Sequence, residues 1–213
     1  MPVDEIRWMT NHCCTHGHRF IAHPSCYEKE KHIVEKIGFL DIEFLGLQAD
    51  YGILISWVIK PENSDKIIFD CLTVKDKDDK RITASCIEAM KKFDRLIGHY
   101  FANGRCDIPY LRTRALTYKI DFPKHGEIYI TDVYPIAKNY LRLHSNRQAS
   151  ISEALRGVSN KTRITAKYWL EAIMHRDKKA LKYIIDHNIK DVYELEKNWH
   201  TLKPFIRLTK TSI

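Results

Sequence analysis

The run Gly38-Phe-Leu-Asp-Ile-Glu-Phe44 constrains the fold of this chain more than any other stretch, because it reads as a buried strand interrupted by two carboxylates. Buried carboxylates are costly unless they are paired or bound to a metal. Asp41 and Glu43 are two apart, so on a strand they project from one face while Leu40, Ile42 and Phe44 project from the other. Like charges that close raise each other's pKa, and a cation keeps both ionised. The competing reading of the same residues is an exposed edge strand with solvated acids.

Two further acids stand in segments of their own. Asp107, in Cys106-Asp-Ile-Pro-Tyr-Leu111, opens a helical stretch from Asp107 to Tyr118 with Pro109 in its first turn, and its simplest role there is an N-cap. Asp191, in His187-Asn-Ile-Lys-Asp-Val192, lies in a long helical stretch, with His187 one turn earlier on the same face. If the three segments converge, they form a hard, oxygen-rich pocket for divalent metal ions, the kind that acts on phosphates.

The order of the elements points to a mixed sheet. Ile37 to Leu45, Gly52 to Ile59 and Lys66 to Leu72 are short apolar runs rich in β-branched and aromatic residues, which predicts three strands joined by polar turns. Helical spacing follows over Thr83 to Phe93, then strands over Arg95 to Tyr100 and Glu127 to Asp132. The remainder reads as helices over Pro135 to Leu143, Ser150 to Arg156, Arg163 to Met174 and Asp177 to Trp199. Strands first and helices afterwards imply an α/β sheet with helices on its faces.

Thirty-five Lys and Arg against 27 Asp and Glu give a net charge of +8, which favours a polyanionic partner such as nucleic acid. The basic residues cluster at Lys75 to Arg81, Arg105 to Arg114, Arg142 to Lys167 and Arg176 to Lys182, a distribution that suits a groove beside an acidic centre. No stretch suits a signal peptide and no run of about 18 apolar residues offers a membrane span, so the expectation is a soluble, cytoplasmic protein. In a reducing compartment six cysteines are expected as free thiols or metal ligands, with Cys71, Cys86 and Cys106 as small buried hydrophobes.

The first 30 residues differ in kind, showing neither helical nor strand periodicity, and a charged run from Glu28 to Lys36 separates them from the main domain at 37–213. Asn11 to Cys26 holds four His besides three Cys, and Cys13-x2-His16 with His23-x2-Cys26 forms two short ligand pairs. Soft thiolate and imidazole donors suit tetrahedral Zn²⁺, so a structural zinc knuckle is expected, with Cys14 and His18 as competing ligands.

Leu40-Asp-Ile-Glu-Phe44, Ile97-Gly-His-Tyr-Phe-Ala-Asn103 followed by Cys106-Asp-Ile-Pro-Tyr-Leu-Arg-Thr-Arg114, and Tyr183-Ile-Ile-Asp-His-Asn-Ile-Lys-Asp-Val192 resemble the three motifs of the DEDD 3′–5′ exonucleases of the ribonuclease H-like superfamily. The likeness is strongest to the proofreading domain of family B DNA polymerases and to related stand-alone exonucleases. Thr131-Asp-Val133, and Lys161-Thr-Arg163 before Trp169, suit the same group, and the resemblance runs from Ile37 to Trp199. It implies a ribonuclease H-like mixed sheet flanked by helices, and metal-dependent hydrolysis of DNA or RNA, single-stranded substrates included.

By position, the resemblance assigns two Mg²⁺ or Mn²⁺ ions to Asp41, Glu43, Asp107 and Asp191, with Asp41 between them. It implies that His187 activates the attacking water and that Tyr100 and Asn103 contact the terminal nucleotide. His187 stands four residues before Asp191, the spacing of the family's tyrosine branch, whereas the histidine branch uses five, so the water-activating chemistry of either branch stays open. A non-catalytic nucleic-acid-binding module and a nucleotide phosphohydrolase are the competing functions, the second of which has no need of the positive charge.

Overall fold

The structure is a computed structural model that describes residues 1, 3–30, 35–102, 106–159, 164–206 and 208–213. It divides into two compact units, Met1–Glu35 and Lys36–Ile213.

The small unit is more regular than its sequence suggests. Helix α1 spans Val3–Asn11 and α2 spans Pro24–Glu30, and between them Cys13 bridges Arg19 in an antiparallel pair. Met9, Cys14, Phe20 and Tyr27 are its buried residues, with Trp8 stacked on Phe20 at 5.2 Å between ring centroids. The expectation of no helical order is therefore corrected. In α1 the inward residues Trp8 and Met9 sit in a helix of only nine residues, too short for a periodic stripe to stand out.

The large unit is built on one five-stranded sheet in the order β3-β2-β1-β4-β5, with β1 at Ile37–Leu45, β2 at Ile53–Pro61, β3 at Ile68–Cys71, β4 at Arg95–Gly98 and β5 at Tyr129–Asp132. The first three strands form an antiparallel meander, and β4 and β5 join β1 in parallel. The helices are α3 (Lys80–Met90), α4 (Asp107–Thr117), α5 (Val133–Tyr140), α6 (Gln148–Arg156), α7 (Ala166–Met174) and α8 (Lys178–Leu202). Among the described residues no helix is long and apolar enough to cross a membrane.

Strand alternation sends β1 side chains into two separate cores. Leu40 and Ile42 pack with α3 and α4 residues such as Ile87, Met90 and Leu111. Phe39 packs on the opposite face with Val133, Ile151, Val192, Leu195 and Trp199 from α5, α6 and α8. Full burial of each such side chain contributes about 1.5–3 kcal/mol. Asp41 and Glu43 share the parity of Phe39, so β1 presents its carboxylates on the face that α8 covers.

Capping fixes where several helices start. Asp132 accepts a hydrogen bond from Tyr134 N at 2.9 Å, which starts α5 two residues before the predicted Pro135, and Asp177 caps α8 through Ala180 N at 2.8 Å. Helix α4 is anchored differently, since its buried Arg114 pairs with the fully buried Asp79, whose Oδ2 also accepts from Leu54 N at 2.7 Å. That pair ties α4 to the start of α3 and to β2, and so sets the position of Asp107 at the opposite end of the helix. Of the three solitary cysteines, Cys86 is buried, whereas Cys71 and Cys106 are only partly so.

Candidate metal centre and groove

Four of the five expected catalytic groups come from β1 and α8, and the fifth from the start of α4. His187 Nε2 lies 3.4 Å from Glu43 Oε1 and 3.5 Å from Asp191 Oδ2. Each of these three residues offers a donor atom within 4.8 Å of the others, a grouping able to hold a metal ion. His187 and Asp191 are one helical turn apart and both are buried, Asp191 to 2% exposure. Asp41 is bound from the same helix, where Asn188 Nδ2 donates to its Oδ2 at 2.6 Å.

Asp107 faces the same charges. It is the first residue of α4 rather than its cap, because Cys106 occupies the cap position without a side-chain hydrogen bond, and the N-cap expectation is corrected accordingly. Its carboxyl is buried and held well above the usual carboxylate range, first by desolvation and then by the charges of Asp41 and Glu43, with a Cys106 hydrogen bond acting in the opposite sense. The neighbouring Cys106 thiol is pushed up to about 12, chiefly by burial and then by Asp107, with Asp41 and Glu43 contributing further. The three segments thus share one electrostatic environment.

A stability consequence follows from the sign of the Asp107 shift. A carboxyl that keeps its proton in the folded state but loses it on unfolding makes the fold less stable as pH rises above about 3.8, the ordinary carboxylate value. Asn cannot ionise, so metal-free Asp107→Asn is expected to melt at a higher temperature than the parent at pH 7 to 8. The gap should close towards pH 4. Melting curves in EDTA check this, and parallel pH profiles for the two proteins would refute it.

Beside Asp41 opens a groove of about 890 Å³ whose walls include His99, Tyr100, Tyr134, Arg147 and Gln148. Tyr100 is 47% exposed, adopts a φ of 62° and meets Tyr134 edge to face at 4.9 Å. Positive φ is uncommon for a bulky residue and needs support from its surroundings. Asp132 gives that support, accepting from Tyr100 N at 2.9 Å, Ala102 N at 3.3 Å and Tyr134 N at 2.9 Å. Asn103, and the Lys161 to Arg163 stretch, lie outside the described residues.

Among the described residues, several arginines of the basic clusters are engaged by acids elsewhere in the fold. Arg81 is engaged by Asp70 and Asp76, Arg114 by Asp79, and Arg156 by Glu194. Arg147 remains as an exposed guanidinium on the groove wall.

In the small unit, Cys14, His16, His23 and Cys26 form a second group able to hold a metal. Cys14 Sγ lies 3.8 Å from His16 Nδ1 and 3.5 Å from His23 Nδ1, and Cys26 Sγ lies 3.3 and 3.2 Å from the same two atoms. The Cys14 thiol is pulled down to about 5, mainly by its hydrogen bond with His23. Cys13 is exposed and lies outside the group, where Cys14, expected as its competitor, stands instead. His18 is also outside it, its ring set edge-on to His23 at 5.2 Å while its carbonyl accepts from Cys14 N.

The sequence did not single out Asn188 or Ser56, and it offered Asp132 only as part of the Thr131-Asp-Val133 run, with no role assigned. The one available signal for Asn188 was a polar His-Asn pair amid Ile184, Ile185, Ile189 and Val192, where a buried helix face would otherwise be apolar.

Comparison with known proteins bears on the large unit. No curated protein matches the chain in sequence. Among solved structures, a family B DNA polymerase from the hyperthermophilic archaeon Pyrobaculum calidifontis is similar, with a TM-score of 0.66 and 15% identity over 81% of this chain. The chain spans 25% of that polymerase, and at this identity the likeness is one of fold. A family model of the ribonuclease H superfamily matches residues 38–201, most of the chain, with all but the first residue of the sheet, the acids of β1 and the Asp191 turn of α8 inside the match. On that match this chain belongs to the ribonuclease H superfamily.

Proposed function

We propose that the chain is a divalent-metal-dependent nuclease of the DEDD type, hydrolysing phosphodiester bonds of DNA or RNA from the 3′ end. The observation that supports this reading is the gathering of Glu43 from β1 with His187 and Asp191 from α8, donor atoms within 4.8 Å of one another, while Asp107 at the start of α4 feels the charges of Asp41 and Glu43. The donor set suits the metal: Asp41, Glu43, Asp107 and Asp191 are hard oxygen donors, matched to Mg²⁺ or Mn²⁺. The upward shift of the Asp107 carboxyl fits as well: burial is its first cause, and the Asp41 and Glu43 charges that add to it are ones a bound cation would offset. When bound, two such ions would polarise the scissile phosphate and stabilise charge on the leaving oxygen.

The residues around them supply the rest. His187, fixed between Glu43 and Asp191, orients the attacking water and takes its proton. Tyr100 offers a flat face for the terminal base, an interaction open to any base. Arg147 and the +8 net charge draw the phosphate backbone into the groove.

Cys14, His16, His23 and Cys26 serve as ligands of a structural Zn²⁺. Zn–S and Zn–N bonds of about 2.3 and 2.0 Å in a tetrahedron place S and N about 3.5 Å apart. The four S to N distances here run from 3.2 to 3.8 Å.

End-labelled single-stranded and duplex DNA and RNA, incubated with and without Mn²⁺, test the main proposal. The expected result is a Mn²⁺-dependent ladder shortening from the 3′ end, slower by about 10²- to 10⁴-fold in His187→Ala. Salt-sensitive binding without cleavage would instead indicate a non-catalytic module, and hydrolysis confined to mononucleotides a phosphohydrolase.

A further inference from the structure

Asn188 is completely buried on α8, and both ends of its amide are committed. Its Nδ2 donates to Asp41 Oδ2 at 2.6 Å, and its Oδ1 accepts from the hydroxyl of Ser56, itself fully buried. Ser56 lies on β2 directly opposite Glu43 in the β1–β2 register. Ser56 from β2 and Asn188 from α8 therefore form a chain of hydrogen bonds that ends on the Asp41 carboxylate of β1.

The direction of this chain is chemically determined. An amide in the opposite orientation would point its oxygen at a carboxylate oxygen, an acceptor facing an acceptor. The Ser56 hydroxyl, donating to Oδ1, holds the amide so that its N–H faces Asp41. Adjacent positions on one helix turn thus serve alternate positions on one strand, His187 facing Glu43 and Asn188 facing Asp41.

We propose that Asn188, held by Ser56, is a positioning residue that fixes the Asp41 carboxylate in the orientation needed to hold a divalent cation. The inference rests on the reading of Asp41 as a metal ligand. A carboxylate bound through Oδ2 to a buried, doubly anchored donor keeps one rotamer, so little ordering is left for the ion to impose. Hydrogen-bond partners of metal ligands set affinity in this way, and losing one typically weakens metal binding 10- to 100-fold.

The test is Mn²⁺ binding to the full chain without nucleic acid, followed by the loss of the free-ion electron paramagnetic resonance signal, with a melting curve for each variant. Asn188→Ala is expected to bind Mn²⁺ about 10- to 100-fold more weakly than the parent. If that variant does not fold, the double change Asn188→Leu/Ser56→Ala replaces both polar partners with apolar side chains and leaves neither of the pair unmatched. It is expected to show the same loss. Asp41→Asn serves as the reference and should abolish the tighter binding. Weaker Mn²⁺ binding by a folded Asn188 variant supports the proposal. Parent-like Mn²⁺ affinity alongside a lowered melting temperature would show a purely structural role and overturn it. If Asp41→Asn itself binds like the parent, the metal reading of Asp41 fails, and this inference with it.

Discussion

Replacing Asp191 with Asn is expected to cut Mn²⁺-dependent hydrolysis of end-labelled oligonucleotides by on the order of 10³-fold or more while leaving the fold intact. Asp191 is 2% exposed, and Asn has its shape, so packing is preserved while the charge is lost. The lost carboxylate is one of three donors gathered within 4.8 Å, and it also lies 3.5 Å from His187. Metal stabilisation of a phosphoryl transition state is worth several kcal/mol, and each 1.36 kcal/mol is tenfold in rate. Asp186→Asn is the matched control, because Asp186 lies on the same helix with a half-exposed side chain paired to Lys182. That variant should cut at the parental rate. Cleavage by Asp191→Asn within a few-fold of the parent, at equal protein and metal, would remove this residue from the centre.

The fold was legible wherever a side-chain period coincided with a core. Strands β1 and β2 show it best, since Leu40 and Ile42 alternate with Phe39 and Asp41, and each parity enters a different apolar cluster. Ends were less legible because caps decide them. Asp132 moves the start of α5 forward through a hydrogen bond to Tyr134 N, a contact that no apolar period reports. In α1 the inward residues are too few for a periodic signal, and its packing depends on Phe20 and Tyr27, which lie beyond the helix in sequence.

Asp41 and Glu43 stood out because carboxylates in an apolar strand are conspicuous, whereas Asp107 and Asp191 became candidates only through the order of their segments and the resemblance to the exonuclease motifs. What supports them was not legible. Asn188 is an ordinary residue in sequence, and only the approach of α8 to β1, with Ser56 opposite Glu43, gives its amide two partners. The basic clusters misled in the other direction. Charge counting treats Arg114 as available to a polyanion, whereas in the fold it is 6% exposed and spent on Asp79. Net charge constrains the partner, and burial decides which cations face it.

Adjacent cysteines at positions 13 and 14 supply the second large effect: Cys14→Ser is expected to lose stoichiometric zinc, and Cys13→Ser to keep it. Spacing alone cannot separate the two, because either sulfur can reach a shared tetrahedron. The fold separates them. Cys13 pairs with Arg19 in an antiparallel bridge, where successive side chains point to opposite sides, which leaves Cys13 exposed and turns Cys14 inward towards His16 and His23. The hydrogen bond with His23 lowers the Cys14 thiol to about 5, which favours the thiolate, the form that binds metal. Among the described residues the small unit has only Met9, Cys14, Phe20 and Tyr27 as buried apolar residues, too few to offset the entropy of ordering it. Structural zinc contributes about 10–16 kcal/mol in comparable peptides, so its loss should unfold this unit. Trypsin should then cut rapidly after Arg7 and Arg19 in Cys14→Ser and slowly in Cys13→Ser. Zinc content after gel filtration, read with the digestion time course, decides the matter: one equivalent retained by Cys14→Ser, or lost by Cys13→Ser, would overturn the assignment.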